Sequence, residues 1–455
     1  MKKRRFSKST IVPVPVERLW DWHMTEGAFE RLVPPWQRVE LVERPEGMSA
    51  GSTVLLRLHA GFLKRDWRAR IESVEANRQF VDIQEKGPFG FWRHEHRMEA
   101  TGENSSRLTD TIDYALPMGL GIVPGMNRLA DNQLERLFQF RHQQMRFDLE
   151  RYPELSGAGR TVLVTGASGL VGRRLVPFLK TLGYQVHELT RGPAGPQRFN
   201  WDPDRQILDS NALKDVHAVI HLAGANIAAG RWTDARRKAI LESRTNGTRT
   251  LVEAIKQLAN PPEVLISSSG VNFYETDGQP KDEASAAGSG FLSEVCRQWE
   301  DEAMQAEKAG VRTVCLRTAV VLDPSGGAVG RMLLPFQLGL GGPVGTGKQG
   351  FPWIGMDDLL DIFIHLMESG SVSGPVNAVH PQCQSQGAFS KCLGTVLGRP
   401  SFLPLPAAMV RLLFGRMGEE TLLANLNIRP GVLQSTGYRF RFETLEATLR
   451  HILGP

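Results

Sequence analysis

The stretch Arg160-Thr161-Val162-Leu163-Val164-Thr165-Gly166-Ala167-Ser168-Gly169-Leu170-Val171-Gly172 decides how the rest of the chain is read. It opens as a β-branched, apolar run, passes through three glycines, and gives way to the helix-forming stretch Arg173–Leu182. Strand, glycine turn and helix start therefore follow in the order that a dinucleotide site requires. Gly166 supplies the dihedrals of a tight turn, Gly169 lets the backbone approach a pyrophosphate, and Gly172 allows close packing of helix on strand. The helix amino terminus adds positive partial charge. Gly166, Ser168, Gly169, Leu170, Val171 and Gly172 are the expected phosphate cradle.

Downstream segments extend the pattern. The strand Gln185–Arg191 ends on Thr190 and Arg191, where a site for NAD would place an acid for the ribose hydroxyls. A guanidinium there pairs with a 2′-phosphate, so NADP is expected, with Glu188 keeping NAD open if the register shifts by two. The strand Ala218–Ala225 brings Leu222, Ala223 and Gly224 to its carboxyl end, where a cofactor passes in a parallel sheet. Another apolar strand, Val264–Gly270, ends in Ser267, Ser268 and Ser269. These hydroxyls suit either a site or a turn cap.

Together TGASGLVG, HLAGAN and ISSSGVNFY resemble the extended short-chain dehydrogenase/reductase superfamily. Arg231–Thr233, Phe291–Glu300, Leu340–Gly345 and Trp353–Asp358 resemble its atypical "epimerase family" branch, related to nucleoside-diphosphate-sugar epimerases, over about residues 160–455. The resemblance implies hydride transfer between a nicotinamide and a hydroxyl or carbonyl carbon. It also implies a Tyr-x-x-x-Lys pair, yet those positions fall on Leu292 and Cys296, or on Phe291 and Val295. Arg244 takes the place of the superfamily's active-site Asn, and Gly355 that of a branch histidine. Ser269 fills the serine position, and Tyr274 is the leading substitute acid, so Ser269 and Tyr274 are the candidate catalytic pair. A structural strand-end role for both stays open, as does a non-catalytic sensor or carrier that binds NADP(H) without turnover. The glycine-rich loop Gly339–Gly350 lacks the spacing of a nucleotide-triphosphatase loop and reads as a mobile substrate-side loop with Lys348 available to an anion. Asp357 and Asp358 read as acids at the start of a helix.

Arg151–Arg160 is a linker, where a long helical pattern stops before a Gly- and Pro-containing run. Before it, Trp92, His94, His96 and Met98 alternate with charged residues, as on a strand with one wet face. From Asn127 to Glu150, Leu134, Leu137, Phe138, Arg141, Met145 and Leu149 recur at helical spacing, giving a helix of about 36 Å. This order resembles the Bet v 1/START-like helix-grip superfamily, with its polyketide cyclase-like and coenzyme-Q-binding members, over residues 1–150. The resemblance implies a pocket for an apolar ligand, with Trp20, Trp22, Trp36 and Gly87–Trp92 as aromatic lining or as plain core. His94 and His96 share a strand face, but no third ligand stands at sensible spacing, so no metal is expected.

The expected architecture is α/β, with a doubly wound parallel Rossmann sheet preceded by an α+β helix-grip domain and followed by a small helical one. The boundaries are 1–152, a linker 153–159, 160–380 and 381–455. The 455 residues are 41% apolar and 23% charged, which suits two or three globular domains. No apolar run is long enough for a bilayer span. Lys2–Arg5 lacks the apolar core of a signal peptide and reads as a solvated end of a soluble, cytoplasmic protein. A net charge of +5, evenly spread, gives no nucleic-acid footprint. The four cysteines are scattered, without a CxxC. A small-molecule substrate is expected, and the choice between monomer and homodimer stays open.

Overall fold

The computed structural model describes all residues except 1, 2, 45, 46, 62, 118, 120, 122 and 455. Lys2 of the basic tetrad thus lies outside the described residues, while Arg4 and Arg5 belong to the first strand. Two compact units emerge: residues 1–158 with 177–183 and 454–455, and residues 159–176 with 184–453.

The first unit is one antiparallel sheet with helices. Its strands are β1 (Arg4–Val12), β2 (Arg38–Glu43), β3 (Thr53–Ala60), β4 (Leu63–Glu75), β5 (Gln79–Lys86), β6 (Phe91–Gly102) and β7 (Ser105–Ala115). They lie in the order β1-β7-β6-β5-β4-β3-β2. The helices are α1 (Val16–Met24), the single turn α2 (Ala28–Arg31) and the long α3 (Met126–Arg151). Period-two burial runs the length of β7, whose Ser106, Leu108, Asp110, Ile112 and Tyr114 face inward. On β6, Trp92, His94 and Met98 are buried on the same alternation, as the sequence pattern requires. Helix α3 lays Leu134, Phe138, Met145 and Leu149 into the core. The aromatic side chains pack on one another: Trp92 sits 5.0 Å from Trp67 and 4.7 Å from Phe89 between ring centroids, and Trp36 sits 5.2 Å from Phe140. Trp20 and Trp22 are buried in the core. Arg31 and Asp148 form a buried ion pair at 2.8 Å, a geometry that tolerates loss of neither partner.

The second unit is built on an eight-stranded sheet. Its first strands are β8 (Thr161–Thr165), β9 (Gln185–Thr190), β10 (Arg198–Asp202), β11 (Ile207–Leu208), β12 (Val216–His221) and β13 (Val264–Gly270). The order is β11-β10-β9-β8-β12-β13, then Arg312–Thr318 and Gly374–Ala378. All neighbours run parallel except β10 and β11. Strands covered on both faces read as continuous apolar runs, and β8 and β12 are buried at nearly every position. The helices that concern the site are α4 (Gly172–Thr181), α5 (Asp234–Lys256) and α6 (Phe291–Met304).

Part of the carboxyl-terminal tail packs into a core shared with earlier elements. Phe389, Leu393, Leu445, Leu449 and Ile452 join Leu322, Val329, Phe336 and Trp353 in one apolar cluster. The helix Ala407–Phe414 stops where Gly415 takes φ +57°, and a new short helix starts at Arg416. Arg441 ties the tail down through a buried pair with Asp361 at 2.6 Å, and its backbone N–H donates to Asp358 Oδ1 at 2.7 Å.

Asp358 stands in the first turn of the helix Met356–Glu368, where a carboxylate complements the dipole. Burial outweighs that, and with Asp361 and Asp357 nearby it pushes the carboxyl up to about 7. A folded-state value above the unfolded one means the native protein holds this proton more tightly, so stability is lost as pH rises from about 4 to above 7. Asp358→Asn keeps the oxygen that accepts from Arg441 and removes the charge. Its thermal midpoint relative to the parent chain should rise at pH 8 and change little at pH 5, as measured by calorimetry at the two pH values.

Candidate functional site

The site forms where β8, β12 and β13 end. At the close of β8, Thr165 Oγ1 accepts the backbone N–H groups of Leu222 and Ala223, each at 3.1 Å. Its lone pairs are thereby used, so its hydroxyl donates to His221 Nδ1 at 2.7 Å. His221 Nε2–H then donates to Thr248 Oγ1 at 3.0 Å, and Thr248 donates to the Arg244 carbonyl at 2.7 Å. Burial, helped by the Arg244 charge, pushes the His221 imidazole down to about 3, so it is neutral at ordinary pH. This chain clamps β8, β12 and α5 together at the carboxyl edge of the sheet.

The glycine turn sits against that clamp. Gly166 has φ +70°, and a Cβ there would stand 2.9 Å from the Leu222 carbonyl carbon and 3.0 Å from Ala223 N. A Cβ on Gly172 would meet Gly166 O at 2.3 Å and Ala167 Cα at 2.6 Å. Gly169 donates its N–H to Gly166 O at 2.9 Å, closing the turn. Ser168 and Gly169 are exposed on the outer rim, Leu170 and Val171 are half-buried, and Gly172 is buried at the positive end of α4. The turn is a backbone surface cleared of side chains, with the chemistry to accept a phosphate.

Register fixes the neighbouring strand. Thr165 lies opposite Leu189 and Val164 opposite Glu188, so Thr190 and Arg191 come alongside the glycine turn while Glu188 stays within the strand. Glu188 faces Arg198 of β10 in the ladder, with a carboxylate–guanidinium distance of 3.6 Å. Thr190 Oγ1 accepts the Gly192 N–H at 3.0 Å, shaping the bend that carries the exposed Arg191. On the other side, Leu222 and Ala223 are half-buried and Gly224 is exposed. Gly224 is pressed by Arg244, whose Cζ would lie 3.1 Å from a Cβ there. Arg244 donates to the carbonyls of Ala225 and Ile240 at 3.1 and 3.0 Å and lies 5.0 Å over the Trp299 ring. Burial lowers its pKa to about 10, so it still places a positive charge here.

Ser269 and Tyr274 meet in one buried network. Ser269 donates to Glu300 Oε1 at 2.6 Å, and Glu300 receives Arg317 through Nε at 2.9 Å and Nη2 at 2.7 Å. Arg317 Nη1 donates to the Tyr274 hydroxyl at 2.8 Å, and that hydroxyl donates to Asn377 Oδ1 at 2.8 Å. Tyr274 is 1% exposed, and burial raises its pKa. Glu300, Arg317 and Asn377 were not legible as partners, because they come from a helix and two strands distant in sequence. Cys296 is inert in this setting: burial, with the Glu300 charge, pushes its thiol up to about 11.

This geometry can be set beside known proteins. The family model for the NAD dependent epimerase/dehydratase family matches residues 162–378. The bovine epimerase family protein SDR39U1 is 40% identical over 297 residues, 64% of this chain and 99% of the relative. The chain belongs to the epimerase family. A solved human member of the family, SDR39U1 isoform 2 with NADPH, is 37% identical over 64% of this chain and 98% of its own, with a TM-score of 0.60. The nucleoside-diphosphate sugar epimerase from Corynebacterium glutamicum covers 99% of this chain and 90% of its own at 30% identity, with a TM-score of 0.80. The similarity thus extends through the amino-terminal unit, where the model "polyketide cyclase / dehydrase and lipid transport" matches residues 12–138. A domain of unknown function, DUF1731, matches residues 405–452.

Within this family fold, Gly172→Ala should be costlier than an ordinary glycine replacement. The added methyl meets backbone rather than a pliable side chain, so unfolding in urea should show a loss of about 1–3 kcal/mol, typical of overpacking.

Proposed function

We propose that this chain binds NADP(H) along the crevice at the ends of β8, β12 and β13, and acts as an oxidoreductase or epimerase on a hydroxyl or carbonyl carbon. The carrying observation is the register that puts Thr190 and Arg191, rather than an acid, beside the glycine turn. The human relative solved with NADPH supports the same choice. The bound nicotinamide would supply or accept the hydride. The backbone around Gly166 and Gly169 would hold the pyrophosphate, Arg191 would pair with the 2′-phosphate, and Leu222, Ala223 and Gly224 would let the cofactor pass. Arg244 would hold positive charge at the β12 end, where a developing oxyanion gains most. Ser269 and Tyr274 enter as braces: both hydroxyls are held by the network of Glu300, Arg317 and Asn377, and so position the end of β13. The amino-terminal unit, similar to polyketide cyclase and lipid-transport proteins, would present an apolar small-molecule substrate.

A second reading, a cofactor-binding sensor or carrier without turnover, is favoured by one observation. The Tyr-x-x-x-Lys positions hold Leu292 and Cys296, or Phe291 and Val295, and the hydroxyl proposed to replace the tyrosine is buried and paired on both sides.

Calorimetric titration with NADPH and NADH in parallel tests the cofactor. NADPH should bind at least tenfold more tightly, and Arg191→Ala should erase that preference while leaving NADH affinity unchanged. Equal affinity in the parent chain would overturn the NADP assignment. For Tyr274→Phe, the reading as a brace expects lower stability, by about 1–3 kcal/mol for the stranded partners, with NADPH affinity kept. Retained turnover in that variant, once an activity is found, excludes Tyr274 as the proton donor.

A further inference from the structure

The amino-terminal unit contains a convergence of imidazoles and carboxylates that the cofactor site does not use. His94 and His96 project from the same face of β6. The ladder places Asp82 of β5 directly opposite His94, and Asp110 of β7 directly opposite His96. Cross-strand neighbours on one face are close enough to share a ligand, and neither carboxylate can be paired with the histidines by sequence spacing. The third ligand missing from the sequence reading is Asp82.

The distances sort the two carboxylates into different roles. Asp82 Oδ2 lies 3.4 Å from His94 Nδ1 and 3.5 Å from His96 Nε2. One donor atom from each of the three side chains falls within 4.8 Å of the others. Donors bound at about 2.0–2.1 Å to one tetrahedral ion stand about 3.4 Å apart. Octahedral neighbours at the same bond length would stand closer, at about 3.0 Å. The opposite edge of each ring turns to Asp110. His94 Nε2 is 3.0 Å from Asp110 Oδ1 in a hydrogen bond, and His96 Nδ1 is 2.7 Å from the same oxygen without hydrogen-bond alignment. The other Asp110 oxygen is 2.7 Å from His142 Nε2 of α3. A carboxylate behind metal-binding imidazoles is the arrangement that fixes their tautomer and orientation. Asp110, His94 and His142 are buried, while the side chains of Asp82 and His96 keep 18% and 12% exposure, which gives an ion a way in.

We propose that Asp82, His94 and His96 form a binding site for one divalent transition ion of the zinc class, with Asp110 orienting the His94 imidazole and His142 anchoring Asp110. Two nitrogens and one carboxylate oxygen suit a borderline ion such as Zn2+ rather than the all-oxygen sites of Mg2+ or Ca2+. Three protein ligands leave a fourth position for water or for an oxygen of a small-molecule ligand. The site lies in the amino-terminal unit and is independent of the NADP(H) reading.

The test uses the full chain, stripped with a chelator under native conditions and titrated with Co2+, followed by displacement with Zn2+. The expected result is one equivalent of Co2+ per chain with the ligand-field absorption of a tetrahedral ion, bleached by Zn2+. Asp82→Asn and His96→Gln should each lower affinity at least tenfold, and Asp110→Asn should lower it about 10–100-fold. Cys383→Ser, at an exposed thiol, should bind as the parent chain does, and NADPH affinity should be unchanged throughout. X-ray absorption on the zinc-loaded parent chain should show two imidazoles with oxygen completing the shell, a readout that does not depend on any variant folding. Failure to bind a stoichiometric ion, an octahedral Co2+ spectrum, sulfur scattering around zinc, or unaltered affinity in both Asp82→Asn and His96→Gln would each overturn the proposal.

Discussion

The second unit depends on one exclusion: nothing larger than hydrogen fits between the start of α4 and the turn that precedes it. Gly172 leaves its would-be side chain against Gly166 O, and Gly166 leaves its own against the Leu222–Ala223 peptide. Because those two gaps are closed, the β12 backbone comes near enough for Thr165 to take two of its N–H groups. The hydroxyl left over then reaches His221 and, through it, Thr248 on α5. A steric constraint at the turn is thereby converted into a polar clamp across strand, strand and helix. The bare backbone facing solvent at Ser168 and Gly169 is its by-product and its use.

Buried polar groups at the ends of β12 and β13 hold one another in place. His221 is neutral and locked in one tautomer, and Tyr274 is closed off by Arg317 and Asn377. The Glu300–Arg317 pair is bidentate, with 11% and 4% of its side chains exposed. Such a pair stabilises little compared with apolar packing, but stripping one partner strands the other. On α6, Leu292, Val295 and Cys296 pack as ordinary core. What this corner of the crevice holds is charge, in Arg244, and a braced strand end, in β13.

Much of this was legible in the chain itself. The strand, glycine turn and helix at 160–182 are local, so three residue types in order suffice to announce them, and α3 is announced by its spacing alone. Cross-strand partnerships are not local. Asp82, which completes the set begun by His94 and His96, belongs to a different strand, and only the ladder register shows that they share a face. The Ser269–Glu300–Arg317–Tyr274–Asn377 chain was invisible for the same reason. Ser269 and Tyr274 are legible as candidates by residue type; what surrounds them depends on packing that no spacing encodes. In the tail, helical periodicity reveals which face is apolar, not which core receives it.

The pairing of β1 with β7 carries a consequence for how the protein is made. Arg4 lies opposite Tyr114, so β1 leaves the ribosome well before β7 and closes a loop of more than a hundred residues. At about 5–20 residues per second, synthesis leaves it without its partner for roughly 5–20 s. The hairpin-linked strands β3 to β7 meet neighbours made moments earlier and pair without that delay. Birth order and assembly order are therefore inverted at this edge of the sheet. Arg4, Arg5, Ser7, Lys8, Ser9 and Thr10, polar at every position of Arg4–Thr10 but Phe6, keep the waiting strand soluble and unattractive to other strands until its own partner arrives.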